Sequence, residues 1–416
     1  MSKNRILGLI AALSVFGCAP SGDGPAGIPE ILRAVPSDAI AVCTYDRLSD
    51  ALADSAVLSA PMLSLQAGRR LEGRAAAVSF VYNGRLSPIL SVDAGSAQSA
   101  DELLLQADSL GLCYARIDSC LASGRGGVLL FSPSGNALES TVRHMTDAGE
   151  SVLSANLFAD AVLSASGRDC IILRNEKADR YLPTADFTKY YKKGQVTGFF
   201  SKFAPWTTLV RDSEAGRFKV EPVPCPDSRY FSNLAGKLPG TDCRLGEAVP
   251  DSSDFVIALS VGGNFRSIYE EWLDACVKLG GYEKKITELR KTFRKSPKDW
   301  EKENGVSVVA AAAWDSHRVV LVRTGANGTE ELSENPLPGF ISALYGPAFA
   351  FDDSFRAADG RWTAFGSEED VLAWKEAPKA GRDRPVPSGK GCRFAVSTPS
   401  GSIWSDEDGI HLKIND

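Results

Sequence analysis

The chain has 416 residues, of which 44% are hydrophobic and 9% aromatic, and its formal net charge is −6. This length exceeds one ordinary domain and accommodates two domains of about 200 residues each. The apolar content excludes an intrinsically disordered chain, because such chains lack the apolar surface that offsets the entropy of folding. The acidic balance disfavours nucleic acid as a partner, since an acidic surface repels phosphate backbones.

The first 18 residues have the pattern of an export signal. Basic Lys3 and Arg5 precede an apolar run from Ile6 to Phe16, and a small residue and a cysteine follow. The run is too short to cross a bilayer, which needs about 20 apolar residues in a helix. The sequence therefore predicts a signal peptide over residues 1–18.

The end of this leader, Val15-Phe16-Gly17-Cys18, resembles the lipobox of bacterial lipoproteins. The resemblance implies that Cys18 is the lipid attachment residue and that acyl chains such as palmitate anchor the protein. Several acyl chains make a stable anchor, because each buried methylene contributes about 0.8 kcal/mol. By analogy with envelope sorting rules, Ala19 favours the outer membrane, on either its periplasmic or its surface face. Residues 19–27 have the Gly, Pro and Ser content of a flexible tether.

Two distant segments repeat one pattern. AVPSDAIAVCTYD begins at Ala34 and AVPDSSDFVIALS at Ala248, and each has a Val-Pro turn, an acidic residue and an apolar strand. Helical stretches follow in both halves, and then a hairpin, over Val78–Val92 or Val306–Val322. Next comes a strand that leads into a helix, with Ser134 or Ser367 as the predicted N-cap.

A terminal strand pair with an acidic turn closes each half, over Val210–Val220 and Trp404–Ile414. The stretch from Asn156 to Arg174 has no counterpart that the sequence reveals. The shared order of elements nevertheless predicts an internal repeat. The alternative is two unrelated domains with similar strand patterns.

These elements predict an α+β protein with two related lobes, each a mainly antiparallel sheet with helices packed on one face. Strands follow one another through hairpins, without the βαβ alternation of a parallel sheet. The first lobe is expected over residues 28–222 and the second over residues 248–416. Residues 223–247, rich in Pro, Gly and Asp, are the predicted interlobe linker.

The leader and the stretch Val35-Pro36-Ser37-Asp38-Ala39 resemble large groups of uncharacterised exported bacterial lipoproteins. In those proteins the mature domain opens with a Val/Ile-Pro-x-Asp-Ala turn and a strand. The resemblance covers the leader and the first strand only. It implies a place in the cell envelope and implies no activity.

The motifs of common enzymes are missing. The sequence has no G-x-S-x-G elbow, S-x-x-K motif, H-E-x-x-H pair, phosphate-binding loop or G-x-G-x-x-G turn. Its three histidines, His144, His317 and His411, lie far apart, and we expect each to be solvated or hydrogen-bonded rather than a metal ligand. The sequence therefore predicts no catalytic, cofactor-binding or metal-binding residue.

Eight of the nine cysteines follow Cys18, and an even number in an exported chain permits disulfides. Spacing suggests Cys113 with Cys120 and Cys225 with Cys243, although connectivity cannot be deduced from a sequence. The other cysteines in apolar strands are expected to act as small hydrophobic residues. These are Cys43, Cys170 and Cys392.

The acidic, basic and aromatic clusters each allow a structural and a functional interpretation. The acidic clusters at 352–353, 368–370 and 406–408 lack the ligand spacing of a calcium loop, so we expect helix first turns and hairpin turns. The stretch from Tyr282 to Lys295 predicts an amphipathic helix with a solvated basic face, and contact with acidic lipids or glycans is its alternative. Tryptophans of the second half are expected in the core, although exposed ones could stack on sugars.

Two functions remain open. The first is a non-enzymatic, membrane-anchored envelope lipoprotein that binds or scaffolds an unknown protein or glycan partner. The second is an envelope hydrolase that acts on glycan or peptide through an unrecognised site. The missing motifs favour the first, whereas a pocket with converging carboxylates or a Ser-His pair would favour the second.

Overall fold

The structure is a computed structural model that describes residues 30–53, 71–82, 86–96, 99, 108–109, 115–117, 120–125, 127–144, 151–165, 170–178, 190–191, 199–212, 216–275, 282–381 and 391–414. Within them, helices accompany one large antiparallel sheet. The predicted α+β class with a mainly antiparallel sheet is confirmed.

The described part of the sheet has 19 strands. In chain order they are β1 (Ala41–Tyr45), β2 (Ala76–Tyr82), β3 (Leu86–Asp93), β4 (Asp108–Ser109), β5 (Ala115–Ile117), β6 (Cys120–Arg125), β7 (Val128–Ser132), β8 (Cys170–Arg174), β9 (Trp206–Arg211), β10 (Arg217–Pro222), β11 (Phe255–Ser260), β12 (Val308–Trp314), β13 (His317–Arg323), β14 (Glu330–Glu334), β15 (Phe355–Asp359), β16 (Trp362–Gly366), β17 (Phe394–Thr398), β18 (Gly401–Ser405) and β19 (Ile410–Ile414).

The described helices divide between the two halves of the chain. They are α1 (Leu48–Ala53), α2 (Gly135–His144), α3 (Phe158–Ala165), α4 (Asn175–Ala178), α5 (Phe199–Phe203), α6 (Phe231–Ala235), α7 (Phe265–Ala275), α8 (Tyr282–Phe293), α9 (Pro297–Asn304), α10 (Phe340–Tyr345) and α11 (Glu368–Glu376). Short 3-10 helices cover Glu30–Ala34, Val152–Ser154, Leu245–Glu247 and Pro347–Phe349.

The strand pairings run in one line through both halves of the chain. From edge to edge the order is β4-β5-β6-β7-β3-β2-β1-β8-β9-β10-β19-β18-β17-β11-β12-β13-β16-β15-β14, and every pairing is antiparallel. Strands β10 and β19 join the two halves, with Phe218 opposite Leu412 and Val220 opposite Ile410. The sheet is therefore continuous, where the sequence predicted a separate sheet in each lobe.

The strand order is the same on both sides of the β10–β19 pair. In the first half β8, β1, β2, β3 and β7 are neighbours in that order, and in the second half β17, β11, β12, β13 and β16 are. Strand β8 belongs to the stretch from Asn156 to Arg174, for which the sequence revealed no counterpart. Strand β8 lies beside β1 as β17 lies beside β11. By its place in the sheet, β17 is therefore the counterpart of β8.

The predicted hairpins and caps are confirmed where the structure describes them. Strands β2 and β3 pair from Tyr82 and Leu86 outward, and the Asn83-Gly84 turn itself lies outside the described residues. The Ser134 hydroxyl accepts a hydrogen bond from the Ala137 amide at 3.4 Å. The Ser367 hydroxyl accepts one from the Asp370 amide at 3.2 Å.

The prediction that helices pack on one face is wrong, because the sheet buries both faces. All seven side chains of β12 and all five of β7 are buried, and successive side chains of a strand point to opposite faces. In the first half, α2 and α3 cover one face and α1 the other. In the second half, α7, α8 and α10 cover one face, and the other is covered by α11 with residues 243–249. A sheet buried on both faces needs cover on both.

Residues 223–247, the predicted linker, pack against the structure on either side of them. Val223 belongs to the core of the first half, whereas Leu234 and Leu238 pack among second-half residues such as Phe265. The same cluster takes Phe203 and Val220 from the first half, so one apolar core crosses the β10–β19 seam. No described helix has the length and apolar character needed to cross a membrane.

Candidate functional site

A cleft of about 210 Å³ opens on the helical side of the second half. Its lining residues come from α8, α9 and α10, from strands β15 and β16, and from the turns beside them. Four are aromatic, two are amides and two are cationic: Phe293, Trp300, Phe340, Phe365, Asn304, Asn335, Lys295 and Arg356. Aromatic rings and cations therefore converge on this concave surface.

The aromatic residues form a connected wall. The Phe340 ring is the centre of this wall, and its centroid lies 5.2 Å from Trp300, 5.8 Å from Phe293 and 6.0 Å from Phe365. All three contacts are edge-to-face, which is a favoured arrangement of aromatic pairs. Phe340 and Phe365 are buried, whereas Phe293 and Trp300 are half-buried. The half-buried rings therefore provide the apolar surface that a ligand would touch.

Strong terminal signals position α9 and with it Trp300 and Asn304. The Ser296 hydroxyl accepts a hydrogen bond from the Asp299 amide at 3.2 Å, Pro297 occupies the first turn, and Gly305 ends the helix at a φ of 59°. These are favoured capping residues at each of the three positions. The Ser296 hydroxyl also donates to the Asp299 carboxylate, and this hydrogen bond lowers the pKa of Asp299.

Asn335 is a buried structural support of the cleft. Its amide nitrogen donates to the carbonyl oxygen of Asp353 at 2.6 Å, and its amide oxygen accepts from Leu337 at 3.2 Å. The Asp353 carboxylate in turn accepts the Gly339 amide at 2.7 and 2.8 Å, directly before α10. This small network fixes the start of α10 and the position of Phe340.

The two cations of the cleft stand beside acidic partners. Arg356 donates from Nη2 to Glu330 at 2.9 Å, while its buried Nε has no hydrogen-bond partner. Lys295 pairs with Glu303. Both cations are half-buried, so an anion in the cleft could approach them.

The helix beside the cleft carries the predicted basic face. Lys284, Arg290, Lys291 and Arg294 are exposed, whereas Ile286 and Leu289 are buried against the core. The predicted amphipathic helix is therefore confirmed for the side chains that the structure describes. Its cations concentrate positive potential near the cleft of an otherwise acidic chain.

A buried ion pair holds α9 against α7 beneath the cleft. Arg266 of α7 donates from Nε to Glu301 of α9 at 3.3 Å and from Nη2 to the other carboxylate oxygen. Its Nη1 donates to the carbonyl oxygen of Leu344 at 3.0 Å. Burial, followed by the nearby Glu301 carboxylate, raises the pKa of Tyr345 well above its usual range.

The two histidines whose side chains are described are hydrogen-bonded to aspartates. His317 Nδ1 lies 3.1 Å from Asp370, and His411 Nε2 lies 3.0 Å from Asp406. His411 is 8% exposed and stacks on Trp404 with a centroid distance of 5.3 Å. The predicted hydrogen-bonded state is confirmed for both. The side chain of His144 lies outside the described residues.

The contact between His317 and Asp370 does not make a nucleophile. Ser367 is near, but its single hydroxyl proton goes to Asp370 Oδ2 at 2.7 Å. A serine nucleophile needs its proton directed at the imidazole, with the carboxylate on the opposite ring nitrogen. Ser367 is the N-cap of α11, and Asp370 supports that cap and the start of β13.

The acidic clusters occupy turns and helix ends. Asp352 accepts from the Ser354 amide at 2.9 Å, and Asp406 accepts from the Asp408 amide at 2.9 Å. Within the described ranges, no group of three or more His, Cys, Asp or Glu side chains is arranged to hold a metal ion.

The cysteines of the predicted pairs fall in different settings. Cys113 lies outside the described residues, and Cys120 begins β6 with its side chain undescribed. Cys225 is half-buried, whereas the thiol of Cys243 is buried 3.8 Å from the carbonyl oxygen of Cys392. Cys43 and Cys170 are buried in apolar clusters, as a small hydrophobic residue would be.

Sequence reasoning found Trp300 only as one of the second-half tryptophans, and Phe293 and Lys295 only as parts of an amphipathic helix. The other members are spread from Asn304 to Phe365, and no local pattern joins them. In comparisons with known proteins, no family model, no curated protein and no solved structure matches this chain.

Proposed function

We propose that this protein is an exported lipoprotein of the bacterial envelope that binds an acidic glycan without chemically changing it. The cleft of the second half is the proposed binding site. The observation that carries the proposal is the convergence of half-buried Trp300 and Phe293 with the cations Lys295 and Arg356.

The chemistry of the cleft matches an acidic sugar. A sugar ring presents C–H groups that pack on an aromatic face, and its hydroxyls hydrogen-bond to amide side chains such as that of Asn304. A carboxylate on the ring pairs with arginine or lysine, and arginine provides two parallel donors. The exposed cations of α8 would attract a polyanionic chain towards the cleft.

Binding without conversion is favoured over hydrolysis. A glycosidase of the common type needs two carboxylates on either side of the scissile bond. The described lining of the cleft contains no carboxylate, and Glu303 and Glu330 beside it pair with Lys295 and Arg356. The hydrolase alternative therefore has no specific contact in its favour.

The envelope location rests on the leader. In this proposal residues 1–18 direct export, Cys18 carries the acyl chains, residues 19–27 act as the tether, and the folded part lies at the outer membrane. Replacing Cys18 with Ser should release the folded protein from the membrane fraction. Persistence of the Cys18→Ser protein in that fraction would contradict the anchor.

We also propose that the two halves are related lobes that arose by duplication. The support is the identical strand order on both sides of the β10–β19 pair, together with matched helices α2 and α11 after β7 and β16. The connection between β11 and β12 covers residues 261–307 and includes α8 and α9, whereas the connection between β1 and β2 covers residues 46–75. The proposed binding cleft uses the longer connection, which suggests that binding is the specialised task of one lobe.

Isothermal titration with two oligosaccharides tests the binding proposal. An oligogalacturonate should bind the mature protein, while a neutral cello-oligosaccharide of equal length should bind at least tenfold more weakly. Arg356→Gln and Trp300→Ala should each weaken oligogalacturonate binding by about tenfold or more, since each removes a contact of 1.4 kcal/mol or more. Lys375→Gln, which removes a half-buried cation that pairs with Glu331 and does not line the cleft, is the matched control and should leave binding unchanged.

Equal binding of the acidic and neutral oligosaccharides would contradict the proposed ligand class. Unchanged binding in Arg356→Gln and Trp300→Ala would contradict the site. Release of shorter oligomers on prolonged incubation would support the hydrolase alternative instead.

A further inference from the structure

Two cysteines from distant parts of the chain meet in the core of the second half. Cys243 precedes the 3-10 helix Leu245–Glu247, and Cys392 precedes β17. Their exposed fractions are 0% and 1%. The Cys243 thiol donates to the carbonyl oxygen of Cys392 at 3.8 Å, and the Cys392 thiol donates to the carbonyl oxygen of Phe394 at 3.7 Å. Both side chains belong to the same buried apolar cluster.

Backbone contacts hold the two segments together independently of the thiols. Thr241 and Cys392 form an isolated β-bridge, in which the Thr241 amide donates to the Cys392 carbonyl at 2.9 Å. A Cβ at Gly240 would lie 2.7 Å from the carbonyl oxygen of Gly391, so the backbones approach more closely than a side chain allows. The backbone contacts thus place the two cysteine-bearing segments side by side without a covalent bond between them.

The surroundings of the cysteines also favour the pair Cys243–Cys392 over the pair Cys225–Cys243 that the sequence spacing suggested. Cys243 faces Cys392 inside an apolar cluster that also contains Leu245 and Trp374. Cys225 is half-buried, and its carbonyl oxygen accepts a hydrogen bond from Asn233 at 3.1 Å in the turn before α6. Seventeen residues of folded chain that include α6 separate Cys225 from Cys243 in the sequence.

We propose that Cys243 and Cys392 form a disulfide in the exported protein. The proposal rests on export, because disulfides persist in oxidising compartments such as the bacterial periplasm. The bond would link residues 240–249 covalently to the start of β17. It would thereby hold these residues against the face of the sheet that they cover.

The reaction is thiol–disulfide exchange with an oxidant of the disulfide class. One cysteine thiolate attacks the oxidant, and a mixed disulfide forms with release of one reduced thiol. The second cysteine thiolate then attacks the mixed disulfide and releases the other half of the oxidant. In total the two cysteines lose two protons and two electrons, and the oxidant disulfide becomes two thiols. Because both cysteines are buried in the fold, the exchange takes place before the core closes.

Peptide mapping of the full protein tests the pairing. Protein purified from the envelope without reductant would be alkylated with iodoacetamide in denaturant and digested with trypsin. We expect LPGTDCR, residues 238–244, to be linked to GCR, residues 391–393, and the linked species to vanish on reduction. Cys225→Ser is the matched control and should keep the link, whereas Cys392→Ser should abolish it and leave Cys243 alkylated.

Recovery of LPGTDCR linked to VEPVPCPDSR (residues 220–229) would overturn the pairing. A second experiment tests the pairing independently of export. Reduced, unfolded protein is refolded with reduced and oxidised glutathione, and its peptides are mapped in the same way. A link on refolding but not in cells supports the pairing and overturns the export on which it rests. No link in either experiment overturns the pairing itself.

Discussion

Arg266 and Glu301 form a two-pronged ion pair in the core of the second half, and their side chains are 4% and 8% exposed. The guanidinium also lies over the rings of Phe265 and Tyr345 at 5.4 and 5.3 Å. This pair ties α7 to α9, and α9 carries Trp300 and Asn304 of the proposed binding cleft. The stability of the core and the shape of the cleft therefore depend on the same contact.

Removing one partner of this pair should destabilise the protein strongly. Glu301→Gln leaves the Arg266 charge buried without a compensating anion, and such changes cost about 3–5 kcal/mol. Urea unfolding followed by far-UV circular dichroism measures the loss. Glu247→Gln is the control, because Glu247 pairs with Arg244 at 3.3 Å on the surface, and we expect it to cost under about 1 kcal/mol.

The double replacement Arg266→Met with Glu301→Met should cost less than the sum of the two single replacements, because each single replacement leaves one buried charge unpaired and the double replacement leaves none. A cost of Glu301→Gln no larger than that of Glu247→Gln would contradict the buried-pair interpretation.

The close contact between Gly246 and Gly381 gives a second prediction. A Cβ at Gly246 would overlap the carbonyl oxygen of Gly381, and the Gly381 amide donates to the Gly246 carbonyl at 3.0 Å. Gly246→Ala must push the two segments apart, so we expect it to cost about 2–4 kcal/mol in the free energy of unfolding.

Gly328→Ala is the matched control for this replacement. A Cβ there would meet no atom within 4 Å in the described part of the chain, and the loss of backbone freedom in the unfolded state favours alanine slightly. Equal effects of the two alanine substitutions in urea unfolding would show that the Gly246 approach is not required.

These contacts show which features the sequence could predict. Hairpins and helix caps have local signals, so β2–β3, β12–β13 and the caps at Ser134 and Ser367 could be predicted. The β10–β19 pair joins residues nearly 200 positions apart. The alternation of apolar and polar residues in Phe218-Lys219-Val220 predicts a strand, but it does not reveal which strand lies beside it. The sequence therefore predicted two separate sheets where there is one.

The burial of both faces did leave a signal in the sequence. Strand β12 reads VVAAAAW, with no alternation of polar and apolar residues, and this pattern is typical of a strand covered on both sides. The cleft has a weaker signal in the sequence, because its half-buried rings lie on α8 and α9 while the cation Arg356 lies on β15. Only the packing of α9 through Arg266 and Glu301 brings them together.

Lys379 provides a prediction about pH. Burial lowers the pKa of this amine to about 8, from 10.5, although Asp359 opposes the shift. The folded state therefore disfavours the charged amine, and this penalty is fully present below pH 8. Between pH 8 and 10.5 the unfolded state binds more protons, so this group makes stability rise with pH. Above that range the penalty is gone.

Lys379→Met should therefore stabilise the protein at pH 7, and the gain should shrink as the pH approaches 10.5. The amine is about half exposed to solvent, so we expect a gain of about 1 kcal/mol rather than the full value of the shift. Urea midpoints of both proteins at pH 7, 8.5 and 10 measure the difference. Lys375→Met, in which a half-buried ammonium that pairs with Glu331 is lost, should change stability by under about 0.5 kcal/mol at pH 7. A gain that is constant across this range would contradict the interpretation.

The two hairpins at the seam carry matched pairs, and these give the last prediction. Asp406 in the β18–β19 turn accepts from His411 at 3.0 Å and from Trp404 at 3.2 Å, while Asp212 in the β9–β10 turn pairs with Arg217 at 3.3 Å. Burial acts to raise the pKa of Asp406, but the hydrogen bonds from His411 and the backbone outweigh it, and the pKa is lowered.

A carboxyl group with a lowered folded pKa adds stability above its unfolded pKa, near 3.8, and loses that contribution as the pH falls through the folded value. Asp406→Asn should therefore cost about 1–2 kcal/mol at pH 6, because it removes charge-assisted hydrogen bonds, and the cost should shrink as the pH falls below 3.8 and through the lower folded pKa. Asp212→Asn, at the more exposed matched position, should cost under about 1 kcal/mol at pH 6. Urea unfolding of the three proteins from pH 3 to 6 decides this, and a cost of Asp406→Asn that persists unchanged at pH 3 would show that packing at the seam, rather than the charge of Asp406, is responsible.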